Sequence, residues 1–207
     1  ELFSFITDLA TADSNVAQAL RAHFGFIEHL RAEAPSDYTK RWFERLGAGE
    51  TAGAAAAEKG TARDAFATRF TRKEGHWVIN GSKFFTTGSL YADWLTVTGS
   101  NEEGETVKCL ASRHDPGLES LDDWDGVGQR LTASGTAHFR DVRVEHDALR
   151  VGNTGFAYSQ AFFQLYHLTT VAGITQAAAV AVARAGKNRK RGFSNANHEL
   201  HAHDPQI

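Results

Sequence analysis

An α+β fold is predicted from three observations. Residues 1 to about 45 place apolar side chains at helical spacing. Residues 46 to about 150 hold a series of short β segments with no helix between them. Residues 151–207 return to a long, Ala-rich helical pattern. Helix, sheet and helix segregated along one chain imply stacked layers rather than alternating βαβ units.

In the first zone, Asp13 and Ser14 are N-cap candidates for "NVAQALRAHFGFIEHL". Val16, Leu20, His23, Ile27 and Leu30 follow at steps of 4, 3, 4 and 3, so they share one helical face. His23 stands inside that apolar stripe. A core histidine with its hydrogen bonds satisfied and a catalytic histidine both fit this placement.

The second zone opens on "LGAGETAGAAAAEKG", which is rich in small residues and reads as a loop. The strand signals are "ATRFTR", "HWVINGSKFFTTG", "DWLTVTGS", "TVKCLASR" and "GTAHFRDVRV". Turn signals separate them at Glu74-Gly75, Asn80-Gly81, Asn101 to Gly104 and Asp115-Pro116-Gly117. Asn80-Gly81 predicts a tight hairpin, because both central residues of such a turn take positive φ. Together these segments predict an antiparallel sheet or barrel. In the third zone, "FAYSQAFFQLYHLTTVAGITQAAAVAVARAG" is apolar on most of its surface, which predicts a helix buried in a bundle.

Composition limits the function classes. Net charge is −3 and the basic residues form only one short run near residue 189, so a nucleic-acid partner is excluded. Cys109 is the single cysteine, which rules out an internal disulfide and suits a cytoplasmic location. No apolar run approaches the roughly 18 residues of a membrane span, so no membrane partner is expected. The chain contains no Met and begins and ends in the middle of helix-like or open sequence, which predicts a piece of a longer protein.

No phosphate-cradling glycine loop and no G-x-S-x-G elbow is present. Cys109 lies mid-strand among apolar residues, the setting of an inert thiol. His198, His201 and His203 cluster near the end, but their spacing fits no catalytic metal site, and no metal is expected. Glu58, Asp122, Asp123 and Asp125 read as solvated loop charges.

Three segments together carry a family resemblance: "GETAGAAAAE" (49–58), "WVINGSKFFTTGSLYADWLTV" (77–97) and "DDWDGVGQRLTASGTAHFRDVRV" (122–144). Their order and spacing resemble the acyl-CoA dehydrogenase superfamily, and most closely its flavin-dependent monooxygenase branch. The "GQR-T-ASGT" wording and the "ADSN…RAHF" helix are similar to that branch. The resemblance implies three domains: an N-terminal helical one over residues 1–45, a central antiparallel β-barrel over 46–150 and a C-terminal helical bundle over 151–207, assembled as a homotetramer.

It also implies site residues. Phe85 packs on a flavin ring and Thr87 supplies a hydroxyl near its reactive edge, with Thr86 between them. Strand parity agrees, since residues two apart share a face. Gly53, Ala54 and Ala55 bring small side chains, and hence backbone amides, to the flavin. The family often has Asn and Ser in this loop; here Ala54 and Ala57 stand at the matching positions, so those side-chain hydrogen bonds are lost. Trp124 and Ile27 line the substrate cavity, and His23 is the active-site histidine, with an ordinary pKa near 6.5 that suits proton handling. Arg189 and Arg191 reach a neighbouring subunit's flavin phosphate, which a guanidinium fits through paired donors.

The implied activity is a two-component monooxygenase that uses O2 and reduced FMN from a separate flavin reductase, acting on a small apolar or sulfur-containing substrate. Two other readings fit the same resemblance. One is an acyl-CoA dehydrogenase with FAD, its glutamate base beyond Ile207. The other is a non-catalytic flavin-binding scaffold, which Ala54 and Ala57 support.

Overall fold

The computed structural model describes residues 1–60, 66–145, 148–152 and 155–188. Four helices come first: α1 (Leu2–Ala12), α2 (Ser14–Ala19), α3 (Arg21–Ala32) and α4 (Asp37–Gly47). The Asp13 side chain caps α2 by accepting from Asn15 N at 2.8 Å, as its position predicts. Ser36 and Thr39 form a reciprocal capping box at the start of α4. The continuous stripe expected over residues 16–30 is divided at Leu20, where α2 ends and α3 begins.

Eight strands follow: β1 (Ala52–Ala55), β2 (Arg69–Lys73), β3 (His76–Lys83), β4 (Trp94–Ser100), β5 (Thr106–Ser112), β6 (Leu118–Ser120), β7 (Ala137–Glu145) and β8 (Arg150–Val151). They form one sheet in the order β6-β7-β3-β2-β4-β5-β8, with β1 joined to β4 off this path. This corrects the expected antiparallel barrel. The sheet is mixed, because one edge of β4 is shared: β1 runs parallel along Trp94–Val97, and β2 pairs in parallel at Ser100. It is also open. The path ends on β6 and β8, three and two residues long, which do not pair with each other.

Asn80-Gly81 is not a turn either. β3 runs through it, and the register against β7 shifts between Ile79 and Gly81, the mark of a β-bulge. Asn80 Nδ2 donates to Asp141 Oδ1 at 2.9 Å, and Asp141 N returns a bond to Asn80 Oδ1 at 3.0 Å. A Cβ on Gly81, whose φ is +150°, would lie 2.6–2.9 Å from Thr68 side-chain and backbone atoms. The glycine is there for close approach of a neighbouring strand. The β2–β3 hairpin turns instead at Glu74-Gly75.

A sheet core around Phe70, Ile79, Leu95, Val97 and Val142 holds the strands together. A second cluster joins α3 and α4 to the sheet through Phe26, Leu30, Trp42, Ala52 and Leu110. The last described element, α5 (Ser159–Asn188), packs its first turns on α1 and α2: Tyr166 OH donates to Ala17 O at 2.6 Å, and Thr11 Oγ1 to Gly173 O at 3.2 Å. Its remaining faces are open, with Leu168, Val171 and Val182 exposed. Residues Ser159–Lys187 are long and apolar enough to cross a membrane by length and composition alone, which corrects the expectation that no such run exists. Scattered Gln and Thr interrupt that run without bringing its mean hydropathy below the spanning range.

Candidate flavin site and adjoining cavity

β3 ends at Lys83 because its side chain turns inward. Lys83 Nζ meets Glu58 Oε1 at 2.6 Å, and the two side chains are 0% and 3% exposed. Glu58 also accepts from Ala67 N at 2.6 Å and Thr68 N at 3.0 Å. Burial alone would raise its pKa, but these hydrogen bonds outweigh it and hold the carboxyl at about 2. Burial pulls Lys83 below the ordinary lysine range while Glu58 opposes that pull. Glu58 is therefore a structural ion and not the solvated loop charge expected of it.

Past Lys83 the chain leaves the strand. Phe84 N donates to Ala57 O at 2.9 Å, Phe85 takes a left-handed backbone with φ +56°, and Thr87 N donates to Phe85 O at 2.9 Å. Strand parity therefore fails here. Phe85 is 55% exposed, whereas Thr86 and Thr87 are buried. Gly88, with φ +83°, seats the turn against α2, where a Cβ would come 2.8 Å from Ala19 O.

The loop from Gln129 to Gly135 fastens this turn. Thr86 N and Oγ1 both donate to Gly135 O, at 3.0 and 2.9 Å. Gly88 N donates to Thr132 O at 2.8 Å, and Ser89 Oγ to Ala133 O at 3.2 Å. A chain of hydroxyls runs alongside: Thr87 Oγ1 to Ser134 Oγ at 2.9 Å, Ser134 Oγ to Thr132 Oγ1 at 2.7 Å, and Thr132 Oγ1 to Gln129 O at 2.8 Å. Gln129 and Ala133 are also left-handed, with φ of +51° and +49°. Three non-glycine residues in that conformation at one place, each costing about 1–2 kcal/mol, point to a site where geometry is held against local preference.

Trp124 joins Phe85 here. Their ring centroids lie 6.1 Å apart, edge to face at 77°, and Trp124 Nε1 donates to Gly128 O at 3.0 Å. Asp123 fixes the strand behind by accepting from Thr136 N and Oγ1, each at 2.7 Å. Those bonds, the side-chain one foremost, lower its pKa.

His23 lies on the other side of β1. Its Nδ1 accepts from Ala52 N at 3.4 Å, so the ring proton sits on Nε2, and burial lowers its pKa. Ala54 N donates to Thr87 O at 2.9 Å. β1 thus ties the histidine helix to the Phe85–Thr87 turn. The sequence reading took this segment for a loop because four small residues carry no strand pattern.

A cavity of about 390 Å³ opens between α3, α5 and the sheet, with Ala54 and Ala56 on its β1 side. Its α3 wall is Arg21, Ala22, Gly25, Phe26 and His29. His23, Ile27 and Trp124 are not among its lining residues: His23 and Ile27 project from α3 at a different angle from that wall, and Trp124 stands with Phe85. Arg189 and Arg191 lie outside the described residues, as do His198, His201 and His203.

Thr132, Ser134 and Gln129 were not singled out from sequence, although the hydroxyl-rich "TASGT" wording is their signal. The cavity's Arg21, Lys108 and Arg150 had none, being drawn from three distant segments.

Residues 52–142 match the family described as acyl-CoA dehydrogenase, middle domain. SfnC of Pseudomonas putida, a probable FMNH2-dependent monooxygenase, is 27% identical over 157 residues, 72% of this chain and 37% of that protein. Dibenzothiophene monooxygenase of Rhodococcus erythropolis is 31% identical over 109 residues, 50% of this chain and 26% of that protein. Among solved structures, TdsC from Paenibacillus sp. A11-2, in complex with FMN and indole, superposes with a TM-score of 0.83 at 25% identity. That match covers 99% of this chain and 55% of TdsC. The methanesulfinate monooxygenase MsuC of Pseudomonas fluorescens shares the fold, with a TM-score of 0.83 at 21% identity over 99% of this chain and 54% of MsuC. The chain spans about half the length of these solved structures and a smaller share of the curated relatives.

Proposed function

We propose that this chain, whose residues 52–142 match the acyl-CoA dehydrogenase middle domain, supplies the flavin site of a two-component monooxygenase using reduced FMN, O2 and a small-molecule substrate. The observation that carries this reading is the exposed Phe85 ring, edge to face with the half-buried Trp124, on a turn braced by the Thr87–Ser134–Thr132 hydroxyl chain. A flat ring needs an apolar wall and a few fixed polar groups at its edge, and this turn offers both. The similarity to FMN-dependent monooxygenases named above points the same way.

In this reading Phe85 and Trp124 hold the ring and Thr87 sets the polar edge of the site, while Thr86, fully buried with its N and Oγ1 on Gly135 O, braces the turn behind it. Gly53, Ala54 and Ala55 approach with their backbone, and Arg189 and Arg191 bind the phosphate across a homotetramer interface. FMN, when bound and reduced, supplies the electrons for O2 activation, and a separate flavin reductase delivers it. His23 stays neutral and keeps a proton on Nε2, a donor whose position Ala52 N fixes. The buried hydroxyl chain orients Thr87 and keeps water out of the turn. Assembly into a tetramer would also cover the open apolar faces of α5, and a cytoplasmic setting fits the reduced Cys109.

The test is an FMN titration of the full chain by fluorescence quenching, followed by anaerobic loading with reduced FMN and rapid mixing with oxygenated buffer. Saturable FMN binding and a long-lived spectrum distinct from oxidised and reduced flavin are expected. Immediate featureless reoxidation, with bleaching of bound oxidised flavin by acyl-CoA, would replace this reading with the dehydrogenase. Binding with neither response would leave only a flavin scaffold.

A further inference from the structure

The 390 Å³ cavity has a charge pattern that flavin binding by the Phe85 turn does not use. Arg21, Lys108 and Arg150 line it, and no Asp or Glu is among the described lining residues. Of the nearby described acids, Glu33 pairs with the lining His29 Nε2 at 2.9 Å, while Glu28 pairs with Arg31 Nη1 at 2.7 Å and accepts from Tyr158 OH at 2.8 Å. Two of the three cations lie over aromatic rings. The Arg150 guanidinium lies 3.5 Å from the Tyr38 ring centroid, and that of Arg21 lies 5.5 Å from the Phe163 centroid.

Arg21 Nε is buried without a hydrogen-bond partner among the described residues. Burial also makes Arg21 and Lys108 easier to deprotonate than free side chains, so these charges have lost hydration that no carboxylate among the described lining residues replaces. Thr96, Thr98 and Ser159 add hydroxyls to the same lining. Phe26, Leu110, Phe156 and Phe163 make up the apolar part of the lining.

We infer that this cavity takes the substrate and that the substrate is a small organic anion, a sulfonate or carboxylate with a short apolar body. Its charged group sits among Arg21, Lys108 and Arg150, and its body lies against Phe26 and Phe156. The assignment as substrate rests on the monooxygenase reading; the anion preference does not. Ala54 lines the cavity and donates its amide to Thr87 O, so the bound molecule is separated from the proposed flavin turn by a single strand. The same cations could instead meet the phosphate of FMN, and the test separates the two sources.

Calorimetric titration of the full chain with hexanesulfonate and with 1-hexanol is the first arm, at low and high salt. Hexanesulfonate is expected to bind at least tenfold tighter than the alcohol and to weaken with salt. In the second arm, Lys108→Gln is expected to weaken hexanesulfonate at least tenfold, Lys108→Arg to retain it, and both to keep the wild-type FMN affinity. Equal binding of sulfonate and alcohol overturns the inference without recourse to any variant. A Lys108→Gln protein that loses FMN and not sulfonate assigns the cations to the flavin phosphate and also overturns it. Sulfonate binding in a chain that binds no FMN overturns the flavin reading and the substrate role with it, while leaving the anion preference standing.

Discussion

Replacing Lys83 by Met tests whether the buried Lys83–Glu58 pair anchors the loop that carries β1 to the proposed flavin turn. The lysine is fully buried, its Nζ is 2.6 Å from Glu58 Oε1 and 3.3 Å from Ala56 O, and it lies 4.8 Å from the Phe66 ring centroid. Methionine fills much the same volume but leaves the carboxylate with only the Ala67 and Thr68 amides to replace its hydration. Removing one member of a buried pair costs about 3–5 kcal/mol. For a chain of this size that lowers Tm by about 6–20 °C. The double variant Lys83→Met/Glu58→Gln should lose less, because no charge is stranded.

The pH dependence has a definite sign. Wild-type Glu58 is held at about 2, below its ordinary 4.5, so the stability from its ionisation is complete above pH 4.5 and lost as pH falls toward 2. In Lys83→Met burial dominates and raises the Glu58 pKa above its unfolded value. The gap between variant and wild type should therefore narrow as pH falls from 7 to 4.5. Circular-dichroism melts across that range measure it. A loss below about 1 kcal/mol at pH 7, or a gap that widens on acidification, would refute the stranded-charge account.

Phe85→Gly removes a left-handed strain of about 1–2 kcal/mol against a glycine entropy cost of about 0.5–1 kcal/mol, so Tm should hold or rise slightly. FMN affinity should nevertheless fall at least tenfold, and a titration that finds it unchanged argues against Phe85 as the ring's wall. Gly81→Ala should destabilise by about 1–3 kcal/mol in denaturant titration, because the new methyl meets the Thr68 backbone; a neutral result would mean β2 can move aside. His23, His29 and His167 all have pKa values lowered first by burial. The unfolded chain thus binds more protons near pH 6.5, and stability should fall as pH drops from 7.5 to 5.5. His23→Gln should flatten part of that slope in melts taken across the same range.

Helix against strand was legible wherever one period dominated. The stripe from Val16 to Leu30, the five strand segments and the capless run from Phe162 onward each announce their type through side-chain spacing, which burial of one face enforces. Phe85, Thr86, Thr87 and Trp124, which the resemblance singles out, lie together in the structure. Their geometry was not legible. Asn80-Gly81 carries the local signature of a turn, yet Thr68 and Asp141 from two other strands make it a bulge. Parity placed Phe85 and Thr87 on one face, yet the Gly135 and Thr132 carbonyls hold the turn in a left-handed backbone that exposes one and buries the other.

The sequence by itself determined the layer order and the strand and helix periods, because these follow from local propensity and one-dimensional spacing, while the residue types at the proposed flavin turn came from the family resemblance. Only the tertiary structure decided that the sheet stays open, that Glu58 is a buried ion and that Arg21, Lys108 and Arg150 share one cavity. Each of these depends on atoms brought together from distant segments, where close packing and desolvation outweigh any preference a short stretch can express.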